Sequence, residues 1–158
     1  MGAGKSTIGR LLASQLSLPF KDSDHIIEKK SGADIPWIFD VEGEEGFRER
    51  ETSTLIDVLA ESEFVLATGG GIVLREQNRE LLKQAEAIIF LNADPEHLIR
   101  RTEKDKKRPL LQVDDPSKKI LALLEQREHL YREVATYEVL TDTRSPQLVA
   151  QEIAASLH

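Results

Sequence analysis

At 158 residues the chain has room for one domain and one sizeable core, which excludes a multidomain machine. Apolar residues at 40% and charged residues at 31%, with 9 Gly and 6 Pro, exclude both a membrane bundle and a disordered chain. The 28 acidic against 21 basic residues leave a net charge of −7, which argues against non-specific binding to nucleic acid or to an anionic membrane, and the absence of cysteine removes disulfides, thiolate metal sites and a cysteine nucleophile. No segment approaches the roughly 20 apolar residues of a membrane span, and the first residues lack the layout of a signal peptide, so a cytoplasmic location is expected.

From Thr7 to Leu18 the apolar residues Ile8, Leu11, Leu12 and Leu16 fall on one helical face, and Pro19 marks the helix end. Phe64 to Ala67, stopping at Thr68-Gly69-Gly70-Gly71, and Ala87 to Leu91, stopping at Asn92-Ala93-Asp94-Pro95, read as short buried parallel strands. Helical stretches are expected at Glu49 to Ala60, Glu76 to Gln84, Glu96 to Arg101, Ser117 to Arg132 and Pro146 to Leu157. The alternation predicts an α/β fold, a parallel sheet with helices on both faces. The run Thr102 to Arg108, TEKDKKR, is too polar for a core and reads as a mobile loop closed by Pro109.

Gly2-Ala3-Gly4-Lys5-Ser6-Thr7 is the latter part of a Walker A loop. Glycines there let backbone N–H groups approach phosphate oxygens, while the helix that follows adds the positive end of its dipole. In that pattern Lys5 reaches the β- and γ-phosphates and Ser6 the Mg²⁺. The full pattern also calls for an earlier glycine and a preceding strand, normally the centre of the sheet. The expectation is therefore a truncated chain that lacks its central strand, fails to fold stably alone and recovers ATP binding when upstream residues are restored.

Asp22-Ser23-Asp24 follows Leu18-Pro19-Phe20 where a second strand should end, which sets two carboxylates at the carboxyl edge of the sheet beside the cradle. Two readings stand side by side for these residues: a site for Mg²⁺ and a substrate hydroxyl, or a solvated turn with an acidic helix cap. His25, His97, His129 and His158 match no metal-ligand spacing.

Taken with the cradle and Asp22-Ser23-Asp24, four further segments complete an ordered series. They are Ile35-Pro36-Trp37-Ile38-Phe39 with Glu42 to Glu51, Ala67-Thr68-Gly69-Gly70-Gly71, Arg108-Pro109-Leu110-Leu111, and Arg127-Glu128-His129-Leu130-Tyr131. The series resembles the shikimate kinase family from Met1 nearly to the C-terminus. The resemblance implies a three-layer P-loop NTPase fold forming a single kinase domain over residues 1–158, with a mobile lid at about 102–113. It implies transfer of the γ-phosphoryl group of ATP to the 3-hydroxyl of shikimate, with Mg²⁺ as cofactor, by a monomer that needs neither nucleic acid nor membrane.

Residue by residue, the resemblance makes Lys5, Asp24 and Arg108 catalytic. Gly2, Ala3, Gly4, Lys5, Ser6 and Thr7 cradle ATP, with Arg108 swinging onto the phosphates and Arg101, Arg144 and Pro146 on the adenine side. Ser6 and Asp22 hold Mg²⁺, the latter through water. Arg48 and Arg127 take the shikimate carboxylate on their guanidinium forks. Gly69, Gly70 and Gly71 offer backbone N–H groups, Asp24 accepts from the reacting hydroxyl, and Phe39 and Phe47 wall the ring, although such a pair also suits a plain core. Arg50 and Arg132 read as surface ion-pair residues. A gluconate-type P-loop kinase or a nucleotide-binding module without catalysis are the competing expectations.

Overall fold

The computed structural model describes residues 4–102, 115–141 and 144–157, without the side chains of Arg101, Thr102 and Pro116. Helix α1 (Lys5–Leu16) begins after Gly4, whose φ of 81° lies in the left-handed region that glycine enters without steric cost. It ends at Ser17, also left-handed, where the N–H of Leu18 returns to the Ala13 carbonyl at 2.9 Å, and Pro19 follows at once. The expected apolar face is present: Ile8 and Leu12 are buried, with Leu11 and Leu16 packed beside them.

Strand β1 (Phe20–Asp22) leads into α2 (Ser23–Ser31), and α3 (Ile35–Leu59) follows. Within α3 the backbone breaks at Gly43, with φ 74° and ψ 177°, a conformation nearly exclusive to glycine, so α3 is two helices meeting at a kink. The helix starts far ahead of the expected Glu49 because Asp34 caps it, accepting from Trp37 N–H at 3.0 Å, with Pro36 in the first turn. Strand β2 (Val65–Ala67) runs through Thr68 and Gly69 into a 3-10 helix at Gly70–Leu74 and then α4 (Glu76–Leu82). Strand β3 (Ile89–Asn92) precedes α5 (Pro95–Thr102), and α6 (Pro116–Val134), β4 (Tyr137–Leu140) and α7 (Pro146–Ser156) complete the described chain.

All pairing among the described strands is parallel. β1 pairs with β2, Phe20 opposite Val65 and Asp22 opposite Ala67, and β3 pairs with β4, Ile89 opposite Tyr137. Among the described residues the two pairs form separate two-stranded sheets. Helices α1 and α7 pack together beneath residues of both, with Ile8, Leu12, Val149, Ala150 and Ile153 meeting Val65, Ile89 and Leu91. The approach of α1 to β1 is close: a Cβ on Gly9 would lie 2.7 Å from the Phe20 ring.

Register positions the site. Since Asp22 and Ala67 are opposite one another, the turn into α2 and the Gly69–Gly71 turn leave the same carboxyl edge of the β1–β2 sheet side by side, where open parallel sheets place their ligands. No helix among the described residues is long and apolar enough to cross a membrane.

Candidate active site

At the start of α1 the Ser6 hydroxyl donates to Asp22 Oδ2 at 2.8 Å, which joins the cradle helix to the turn after β1. The other oxygen of Asp22 caps α2, accepting from the N–H groups of Asp24 at 3.0 Å and His25 at 3.4 Å. Asp22 is thus a helix cap whose second oxygen is bonded to the cradle helix through Ser6. Lys5 is the first residue of α1 and half-buried, whereas Thr7 is exposed. Gly2, Ala3, Arg108, the side chain of Arg101 and residues 103–113 of the expected lid lie outside the described residues.

Asp24, in the first turn of α2, faces the glycine turn; a Cβ on Gly69 would come 3.2 Å from Asp24 Oδ1 and 3.3 Å from Glu51 Oε2. Arg48 and Glu51, one turn apart on α3, are both buried and joined by Arg48 Nη1 donating to Glu51 Oε1 at 2.9 Å. The Arg48 guanidinium lies flat over Gly71, where a Cβ would come within 2.3 Å of both Nη atoms. Any side chain at position 71 would displace it. The same guanidinium reaches Glu44 at 3.3 Å and stands over the Phe47 ring at 5.2 Å.

From α6, Arg127 enters the cluster with 3% of its surface exposed. Its charge acts on both Glu51 and Tyr131, and Tyr131 donates its phenol proton to the Gly70 carbonyl at 2.9 Å. Arg79 closes the other side of the turn, donating to the Val73 and Leu74 carbonyls at 2.8 and 3.2 Å and pairing with Glu133 of α6 at 2.9 Å.

Two buried guanidinium groups thus stand with the fully buried Glu51, with Glu44 and Asp24 beside them. The Nε atoms of Arg48 and Arg127 and Glu51 Oε2 are buried without a hydrogen-bond partner among the described residues. Buried polar groups left open are costly, so this mixture of guanidinium donors and carboxylate acceptors suits a ligand that carries both an acid and hydroxyl groups.

A family model described as shikimate kinase matches residues 1–158. The chain belongs to the shikimate kinase family. The shikimate kinase of Pseudomonas paraeruginosa is 54% identical over 157 residues, covering 99% of this chain and 91% of that protein. That of Vibrio parahaemolyticus is 52% identical over the same length. Among solved structures, the shikimate kinase from Acinetobacter baumannii in complex with shikimate has a TM-score of 0.97 at 49% identity, covering 99% of this chain and 88% of that one. The shikimate kinase from Aquifex aeolicus has a TM-score of 0.86 at 34% identity, covering 99% and 91% respectively. These likenesses give this chain the expected α/β fold of the P-loop kinases.

In this shikimate kinase family member the expected site residues divide. Asp24, Arg48, Gly69, Gly70, Gly71 and Arg127 come together around Glu51 and the glycine turn. Phe39 and Phe47 stack with ring centroids 4.8 Å apart inside a core of Ile27, Ile35 and Ile38, which is the plain-core placement for most of their surface. Arg144 and Pro146 stand at the junction of β4 and α7, by the other sheet, where Arg144 donates to the Leu140 carbonyl at 3.1 Å and pairs with Glu152. Arg50 and Arg132 form exposed pairs with Glu42, Glu128 and Glu138, as a solvated face would. Among the described residues no three His, Asp or Glu side chains cluster as a metal cage would.

Sequence reasoning gave no role to Glu51 or Tyr131. Their signals were spacing alone: Glu51 three residues after Arg48, Tyr131 four after Arg127, each on the helical face of an expected substrate arginine. Burial raises the Glu51 carboxyl above its ordinary 4.5, against the opposing pull of Arg48 and Arg127 and with a further push from Asp24. A raised folded-state value means that Glu51 supports folding fully below its unfolded value of 4.5, and that this support is lost as pH rises through the folded value. Glu51→Gln, which mimics the neutral acid and keeps an acceptor for Arg48, should remove that slope. Urea midpoints measured from about pH 4 to about pH 8 should move in favour of the variant as pH rises and then level off. A difference that stays constant, or grows on acidification, would contradict the buried-acid account.

Proposed function

We propose that this chain transfers the γ-phosphoryl group of ATP to the 3-hydroxyl of shikimate, giving shikimate 3-phosphate and ADP in aromatic amino-acid biosynthesis. The observation that carries the reading is the pair of buried guanidinium groups, Arg48 and Arg127, gathered with buried Glu51 beside Asp24 and the glycine turn. A small hydroxylated acid suits these groups: its carboxylate accepts from the guanidinium donors, and a ring hydroxyl then meets Asp24. Phosphoryl transfer is mostly positioning and electrostatic stabilisation, so these groups do the greater part of what the reaction needs on the acceptor side.

On the donor side, Gly2, Ala3, Gly4, Lys5, Ser6 and Thr7 cradle the phosphates at the N-terminus of α1, and Lys5 sets a cation against the transferring group. Arg108 adds a second cation, with Arg101, Arg144 and Pro146 toward the adenine. Mg²⁺ is the implied cofactor, and the donor set fits it. The Ser6 hydroxyl and Asp22 Oδ2 are hard oxygen ligands 2.8 Å apart at the cradle, and magnesium takes few protein ligands while keeping waters and phosphate oxygens. When bound it neutralises charge on the β- and γ-phosphates. Asp24 accepts a hydrogen bond from the reacting hydroxyl and holds it in line, and Gly69, Gly70 and Gly71 bring backbone close to the ring, with Phe39 and Phe47 behind Arg48. The protein acts as a cytoplasmic monomer.

The test is acceptor selectivity of the full-length protein with MgATP. Shikimate should be phosphorylated, while gluconate and nucleoside monophosphates remain almost untouched. Equal or better turnover of gluconate would overturn the shikimate assignment, and ATP binding without turnover of any acceptor would favour a non-catalytic nucleotide-binding module.

A further inference from the structure

We propose that Tyr131 is a positioning residue for the carboxylate-binding end of the acceptor site, its phenol tying the Gly69–Gly71 turn to α6, the helix that carries Arg127. The inference rests on the acceptor reading above and adds to it a residue that touches no reacting atom.

Three glycines in succession have no Cβ to select a backbone conformation, so the turn that follows β2 needs an external lock. Within the chain's own turn, Ile72 N–H reaches the Gly69 carbonyl at 3.3 Å and the 3-10 helix continues to Leu74. A further bond comes from 61 residues away, Tyr131 Oη donating to the Gly70 carbonyl at 2.9 Å. That carbonyl belongs to the Gly70–Gly71 peptide. Since a trans peptide is planar with its C=O and N–H opposed, pinning the carbonyl toward α6 turns the Gly71 N–H the other way. The orientation of an N–H group in the glycine turn is thereby fixed by a side chain of α6.

Arg127 lies one helical turn before Tyr131 on the same face of α6, so the side chain that grips the glycine turn and the arginine leave one helix side by side. Arg127 enters the site from α6 and the turn enters from the β1–β2 sheet. The phenol holds these two carboxylate-facing groups at a fixed spacing. The Tyr131 ring is packed on Phe90 with centroids 5.1 Å apart, so the oxygen is itself held firmly.

Tyr131→Phe keeps the ring and removes only the oxygen. Losing this partly buried hydrogen bond should raise the KM for shikimate roughly tenfold, with kcat within about threefold and the KM for ATP within about twofold of wild type. Because Tyr131 sets the turn against the helix that carries Arg127, joining Tyr131→Phe to Arg127→Ala should cost less than the product of the two single losses. A shikimate KM within twofold of wild type, a rise in ATP KM matching the rise for shikimate, or a strictly multiplicative double loss would each overturn the proposal. The function and this inference fail separately. Wild-type protein that does not turn over shikimate sinks the first, whereas an active wild type with an unaltered Tyr131→Phe variant sinks only the second.

Discussion

Arg127→Ala should weaken shikimate binding by about 2–5 kcal/mol, the cost of removing one partner from a desolvated charge pair, which is roughly 30- to 4,000-fold in Kd. ATP affinity should stay within about threefold, because Arg127 stands on α6 against Glu51 and Tyr131, at the glycine turn. Arg48→Ala should weaken shikimate binding by a similar factor but also lower the melting temperature. The two arginines differ in what they leave behind. Removing Arg48 strands Glu51, which has no surface exposed and whose one direct hydrogen bond among the described residues comes from Arg48. Removing Arg127 leaves Glu51 its bond to Arg48. Lysine at either position should not restore binding, since a single ammonium cannot make the paired contacts of a guanidinium fork. Calorimetric titration of each variant with shikimate and with ATP, alongside thermal melts, separates these effects. A fall in ATP affinity alone would show that both arginines are misplaced.

Much of this site was legible because its parts are local. The start of α1 is set by Gly-x-Gly-Lys-Ser, whose left-handed Gly4 and following apolar face are decided within a dozen residues. The Asp22 cap and the glycine turn are local in the same sense, and the strands before them are apolar runs ended by turn residues. What escaped was set by partners distant in sequence. Strand β4, with Val139 alone of its four residues buried, carries no apolar run, and its place follows from pairing with β3. The front half of α3 was hidden because Gly43 and Gly46 break the helical pattern, although the backbone resumes its helix after a kink. Arg48 with Glu51 and Arg50 with Glu42 look alike as charge pairs on a helix. Burial separates them: the Arg48 side chain is 7% exposed and that of Arg50 39%. The packing of β2, the 3-10 helix after it and α6 over one stretch of α3 buried the first pair and left the second on the surface.

Asp24→Asn should lower kcat by on the order of 10²-fold or more while leaving the fold and the KM for ATP nearly unchanged. Asparagine is close in size and keeps an acceptor, and the backbone N–H of residue 24 remains tied to Asp22 Oδ1, so the first turn of α2 survives. What changes is the side chain proposed to face the reacting hydroxyl. Asparagine presents one acceptor and one donor where aspartate presents two acceptors, and it has no charge. With the carboxylate lying 3.2 Å from where a Gly69 side chain would begin, and Glu51 at 3.3 Å from the same point, little room exists for the amide to turn and recover the lost geometry. A hydroxyl held out of line with the γ-phosphoryl group loses the positioning on which a loose transition state depends. Single-turnover rates with saturating shikimate and MgATP isolate that step from binding. A variant with near-normal kcat would remove Asp24 from the reacting groups. A loss below about tenfold would instead mean that one oriented acceptor suffices and that the negative charge contributes little.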